Sequence, residues 1–98
     1  AGSYVYLCLP SANKVVRVVS DGTVTDFSTG LAGPLGVAYH SDGYFYTVNS
    51  DGTISRINSY GVVQWSRQLA AMPVGICSAS DGNLYITATN NLVLCYRP

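Results

Sequence analysis

Glutamate is absent from this chain, and charge of either sign is scarce. Its 98 residues carry five aspartates against five lysines and arginines, with a net charge of zero. Surface helices usually place Glu, Lys and Arg on their wet faces, so a helical protein is excluded. No basic stripe exists to neutralise phosphates, which excludes nucleic acid and an anionic membrane surface. Leu69 to Cys77 is the longest apolar stretch; Pro73 and Gly75 interrupt it, far short of the roughly 20 residues a spanning helix needs. Ala1-Gly2-Ser3 reads as a vector remnant, so the lack of a signal peptide carries no information. The three cysteines, Cys8, Cys77 and Cys95, lack CxxC spacing and are expected as small buried hydrophobes on strands. No nucleotide-binding glycine pattern occurs, and the one histidine has no acid beyond turn aspartates for a serine triad.

What is present points to strands and turns. Tyrosine, valine, serine, threonine and asparagine are frequent, the residues of pleated surfaces and tight connections. Four of the five aspartates precede glycine, at residues 21, 42, 51 and 81. Asp-Gly between apolar runs predicts hairpins with type I′ turns, whose central positions need positive φ. These acids are turn formers before they are catalytic carboxylates.

A repeat organises the whole chain. PLGVAYHSDGYFYTVNSDGTISRI from Pro34 aligns without a gap on PVGICSASDGNLYITATNNLVLCY from Pro73, 39 residues later. Pro34, Gly36, Asp42-Gly43 and Tyr46 meet Pro73, Gly75, Asp81-Gly82 and Tyr85. The N-terminal segment is a partial third copy, in which Tyr4-Val5-Tyr6 answers Tyr44-Phe45-Tyr46 and Val15, Arg17 and Val18 answer Ile54, Arg56 and Ile57. A period near 40 with four short strands is the length of one β-propeller blade.

Strands A to D, named from the propeller axis outwards, fall as follows. The first blade (3–30) lacks A and has B at 3–9, C at 13–20 and D at 23–28. The second (31–69) is whole, with strands at 36–41, 43–49, 52–58 and 61–67. The third (70–98) lacks D and has strands at 75–80, 83–89 and 91–97. Runs such as Tyr44-Phe45-Tyr46 do not alternate, as befits sheets covered on both faces.

The pattern P-x-G-(V/I)-x-x-x-x-D-G-x-h-Y, followed by (V/I)-x-R-(V/I) and G-x-V, resembles NHL-repeat propellers and the related virginiamycin B lyase and gluconolactonase-type propellers. The resemblance implies an all-β fold of four-stranded antiparallel blades. Those families have six or seven blades in one chain, whereas about two and a half are present here. The expected remedy is closure by further copies of the chain joined head to tail. A dimer of five or six blades is the first arrangement, a trimer the second, and a fragment of a longer propeller the alternative.

The lyase resemblance calls for a metal held by histidine and acids, for which His40 alone is available. The lactonase site uses Glu, Asn and Asp and cannot be carried over without Glu. No cofactor or metal is therefore expected, and a non-catalytic binding or assembly module leads, ahead of a subunit-shared lyase or lactonase site around His40 and of a purely structural piece. Candidate ligand contacts for a protein or glycan are Asn13, Asn49 and Asn90 in the B-to-C loops, His40 at the end of an inner strand, and Trp65 with Arg67 on an outer strand, an aromatic–guanidinium pair of the kind that seats polar ligands. Arg17 and Arg56, repeated on the C strands, are expected as blade-to-blade hydrogen-bond anchors. Low charge and the wealth of Tyr, Ser, Thr and Asn suit an extracellular or virion-surface setting.

Overall fold

The structure is a computed structural model that describes residues 4–98. The expected start of the first strand at Ser3 and the reading of Ala1-Gly2-Ser3 lie outside the described residues. Ten strands form three antiparallel sheets. β1 (Val5–Leu9), β2 (Lys14–Val18) and β3 (Val24–Ser28) make the first. The second is β4 (Pro34–Tyr39), β5 (Phe45–Asn49), β6 (Thr53–Ile57) and β7 (Val63–Gln68). The third is β8 (Pro73–Ser78), β9 (Leu84–Ala88) and β10 (Leu92–Tyr96). A single 3-10 turn, Pro10–Ala12, joins β1 to β2.

Both inner strands begin earlier than their expected start, at Pro34 and Pro73. Each proline opens its strand, where its missing N–H removes no ladder bond, and a register shift follows before Gly36 or Gly75. The hairpins also differ from expectation. The Gly22 amide donates to the Val19 carbonyl and the Val19 amide to Thr23, leaving three loop residues, and the same pairing recurs around Gly43, Gly61 and Gly82. Only the glycine takes positive φ, near 90° at Gly22 and Gly43. These are three-residue loops ending in a left-handed glycine, not two-residue type I′ turns. The aspartate explains the choice: Asp21, Asp42, Asp51 and Asp81 each accept from the amide two residues on, closing the turn with their own side chains.

Successive sheets stack face to face. The side of each blade that meets the next one is its forward face, and the opposite side its backward face. Tyr46, Val48 and Ile54 on the forward face of the second blade form one core with Leu84 and Ile86 of the third. Phe45 and Ile57 on its backward face join Val15 and Leu31, with Tyr6, Cys8 and Phe27 packed against them. The Tyr6, Phe27 and Phe45 rings meet edge-on or tilted at centroid distances of 4.5–4.9 Å. β5 is consequently buried along its whole length, as a sheet covered on both faces requires.

The blades also touch through backbone. Gly61, in the β6–β7 turn, has φ 84° and lies against the Phe27 carbonyl, into which a methyl group would collide. Gly22 has a similar φ but open space around it. Gly22→Ala should therefore cost about 1 kcal/mol, the strain of a left-handed residue. Gly61→Ala should cost at least about 2–3 kcal/mol, because the clash adds to that strain. Urea denaturation of the two variants checks this.

Candidate functional site

The six candidate residues fall into separate places. Asn13 stands in the left-handed region at φ 55°. Its carbonyl accepts from the Leu31 amide and its side-chain oxygen from Gly33 at 3.1 Å, so it clamps the segment entering the second blade. Asn49 ends β5 beside that segment and is 1% exposed. Its amide nitrogen donates to Thr53 Oγ1 at 3.0 Å and Ser55 Oγ at 2.9 Å. Asn13 and Asn49 thus meet at one end of the blades. Asn90 is exposed at the tip of the β9–β10 turn, where it and Asn91 take φ of 63° and 60°.

His40 lies at the opposite end, beyond the last residue of β4, and is buried. Its Nε2 lies 2.8 Å from the Gly82 carbonyl of the third blade, and its Nδ1 3.0 Å from the Asp42 amide. The Asp42 amide donates to Nδ1 and Nε2–H donates to the Gly82 carbonyl, with Asp42 Oδ1 3.1 Å from the same Nδ1. It works as a strut between blades. Among the described residues no three His, Cys, Asp or Glu side chains gather. The histidine-and-acid metal set implied by the lyase resemblance therefore does not fit these residues.

Trp65 and Arg67 lie on the forward side of β7. The Arg67 guanidinium sits 4.1 Å from the Trp65 ring centroid and Arg67 Nη1 donates to the Tyr96 hydroxyl at 3.0 Å. Trp65 is half-buried among Tyr46 and Tyr96, much as Phe27 fills the preceding inter-blade space. Arg17 and Arg56 depart from expectation. Arg17 lies 4.6 Å from the Tyr4 ring centroid and Arg56 4.1 Å from that of Tyr44, each in its own blade. The ring faces attract the guanidinium, so these side chains stay within their sheets and do not bridge to the next one.

A pocket of about 180 Å³ opens between the second sheet and the connection from β3 to β4. Its floor holds Asn49 and Ser55, and its rim is formed by Gly30 to Ala32, Asp51, Thr53 and Ser66. The polar groups are chained: Ser55 Oγ to Ser66 Oγ at 2.7 Å, and Thr53 Oγ1 to Asp51 Oδ1 at 2.6 Å. Of these residues only Asn49 was a candidate ligand contact in the sequence, where Asp51 reads as a turn former. Ser55 was legible as a polar residue at a position that is apolar in the sister blades, where Val16 and Leu94 stand.

Among the described residues, nothing covers the two end faces of the stack. Val5, Leu7 and Leu9 project backward from the first blade, with Val5 55% and Leu7 49% exposed. Val93, 66% exposed, projects forward from the third together with Cys77 and Cys95, which flank Tyr85 in register. Both cysteines are free and exposed, contrary to the expectation of burial, because the sheet face carrying them has no neighbour. Cys8 alone is packed, and burial raises its thiol to about 11.

No family model matches the chain, and no curated protein matches it. Solved structures share its fold. It is similar to virginiamycin B lyase from Staphylococcus aureus: 19% identity and TM-score 0.67 to the catalytically inactive variant with quinupristin, over 96% of this chain and 37% of that one. The selenomethionine form of the same lyase gives 20% identity and TM-score 0.66, over 97% and 38%. A streptogramin B lyase structure gives 17% identity and TM-score 0.70, over 97% and 37%. The fold is a partial β-propeller. The chain spans little more than a third of the propellers it matches, and at these identities the likeness establishes the fold alone.

Asp42 responds to pH. Burial opposes its ionisation, but the Tyr46 hydroxyl at 2.7 Å and the Tyr44 amide outweigh it and hold its carboxyl below the ordinary range. Stability from a depressed carboxylate is complete above the unfolded value of about 3.9 and is lost as pH falls through the folded one. Urea midpoints should therefore drop below about pH 4 in the wild type and more shallowly in Asp42→Asn. Tyr46→Phe should cost about 1.5–3 kcal/mol at pH 7, the worth of a hydrogen bond to a charged group.

Proposed function

We propose that the chain is a non-catalytic assembly and binding module, an oligomeric β-propeller whose repeated loops engage a protein or carbohydrate. The observation that carries the reading is the pair of apolar end faces left uncovered among the described residues. The inner strands of the second and third blades lie side by side, with a Cβ at Gly36 in ordinary van der Waals contact with Ile76 and the Gly75 backbone. Gly75 is the equivalent position on the forward face of the third blade, where a Cβ would meet only the Thr87 hydroxyl of its own sheet. The exposed apolar row Val5, Leu7 and Leu9 on the first blade is the surface a further blade would cover.

Head-to-tail contact of two copies, or of three, brings forward face to backward face and closes a ring. The binding arm rests on the loops at the β5–β6 end, where Asn13 and Asn49 meet around Gly30 to Gly33. A metal-dependent lyase reading has fold likeness in its favour, but His40 is committed to Gly82 and Asp42.

Size-exclusion chromatography with light scattering tests the assembly. The wild type should elute at the mass of two or three chains. Leu7→Glu and Val93→Glu change residues exposed within one chain, so each should fold and run as a single chain, with association weakened well over tenfold by an unpaired buried carboxylate. A well-folded wild-type monomer contradicts the reading.

A further inference from the structure

Three positions of the repeat break the apolar pattern in a single blade. Thr47, Asn49 and Ser55 line up, 39 residues on, with Ile86, Ala88 and Leu94, and in the first blade with Leu7, Leu9 and Val16. All three polar residues are buried. Both sister blades show that the fold accepts apolar side chains there, so the blade itself does not require polarity. The polarity also carries a penalty. Asn49 Oδ1, Thr47 Oγ1 and Ser28 Oγ are buried without a hydrogen-bond partner, and each such group costs about 1–3 kcal/mol. A destabilising polar patch that the architecture does not need calls for a reason in function.

The hydrogen-bond inventory says what the adjoining pocket lacks. Both hydrogens of the Asn49 amide go to Thr53 and Ser55, and the Thr53 hydroxyl hydrogen goes to Asp51. Ser55 and Ser66 share one hydrogen between them. The Asn49 oxygen and the second Asp51 oxygen remain as acceptors, so the site asks for a donor. An ammonium ion would donate, but it would exchange its hydration for neutral oxygens, since the lone carboxylate sits exposed at the rim and already accepts twice from Thr53; that exchange is unfavourable. A hydroxyl donates without a charge to desolvate and can also accept from Ser66. Leu31 and Val63 supply an apolar wall for the C–H face of a ring. At about 30 Å³ per water, the volume displaces roughly six waters, about one sugar ring.

We propose that the pocket between the second sheet and the β3–β4 connection binds a hydroxyl-bearing ligand of monosaccharide size, with Asn49, Ser55 and Ser66 as its polar contacts. The inference rests on the binding role proposed above and gives its carbohydrate arm a place. It lies within one chain, so it does not depend on ring closure.

The test is an amide-shift NMR titration of the full chain and of Val93→Glu with methyl glycosides of glucose, galactose, mannose and N-acetylglucosamine, and with methylammonium chloride. Saturable shifts at Gly30 to Ala32 and Asp51 to Ser55 are expected with at least one glycoside, at millimolar dissociation constants and equally in both proteins. Asn49→Ala copies the third blade and Ser66→Ala alters an exposed rim residue, so both should fold. Each should weaken binding about tenfold, the worth of one hydrogen bond. Four outcomes would overturn the proposal: no saturable shift with any glycoside, shifts confined to other residues, undiminished binding by both variants, or saturation by methylammonium instead. Glycoside binding by a wild type that proves monomeric would sustain the pocket while removing the assembly.

Discussion

A sheet that is apolar on both faces must be covered on both faces, and nearly every feature of this chain follows from that requirement. Among the described residues, only the middle blade satisfies it. β5 has neighbours fore and aft and is buried throughout, whereas β1 and β10, in the end blades, alternate between covered and bare side chains. The same requirement brings the inner strands of the second and third blades side by side at Gly36 and Ile76. It also explains the exposure of Cys77 and Cys95, which occupy positions of the kind that Ala38 and Arg56 fill under cover of the third blade.

Polar groups that tie the blades together stand at the ends of the strands, outside the apolar cores. His40 reaches from the second blade to the Gly82 carbonyl of the third, and Asn13 reaches from the first blade to the backbone entering the second. Both were candidates for chemistry because polar side chains near loops are often functional. Their hydrogen bonds are filled by the protein, so they position blades. Asn49 differs from them in one respect: its oxygen has no partner, and it borders open volume.

The architecture was legible because the 39-residue repeat and the Asp-Gly turns are local signals. A hairpin is encoded by residues within a few positions of one another, and the ten strands lie where those signals put them. The pocket was less legible because it is made by pairing strands of one sheet and folding a connection over them. Ser55 and Ser66 read as ordinary strand residues until β6 and β7 are paired, and Gly30 to Ala32 read as a linker until it folds over Asn49. Comparing the blades position by position exposes the signal, since Thr47, Asn49 and Ser55 replace apolar residues of both other copies. The arginines were misread for a related reason: repetition marks a structural role but does not say whether the partner is the next blade or the ring beside it.

The dependence of each blade on its neighbours is tested most directly by the midpoint of urea denaturation as a function of protein concentration. If folding is coupled to closure by another copy, the midpoint should rise steadily with concentration, as mass action requires for a native state that is an assembly. A cooperative transition whose midpoint is the same across a hundredfold range of concentration, about 2.7 kcal/mol in association free energy, would show that this chain stands alone and contradict the account.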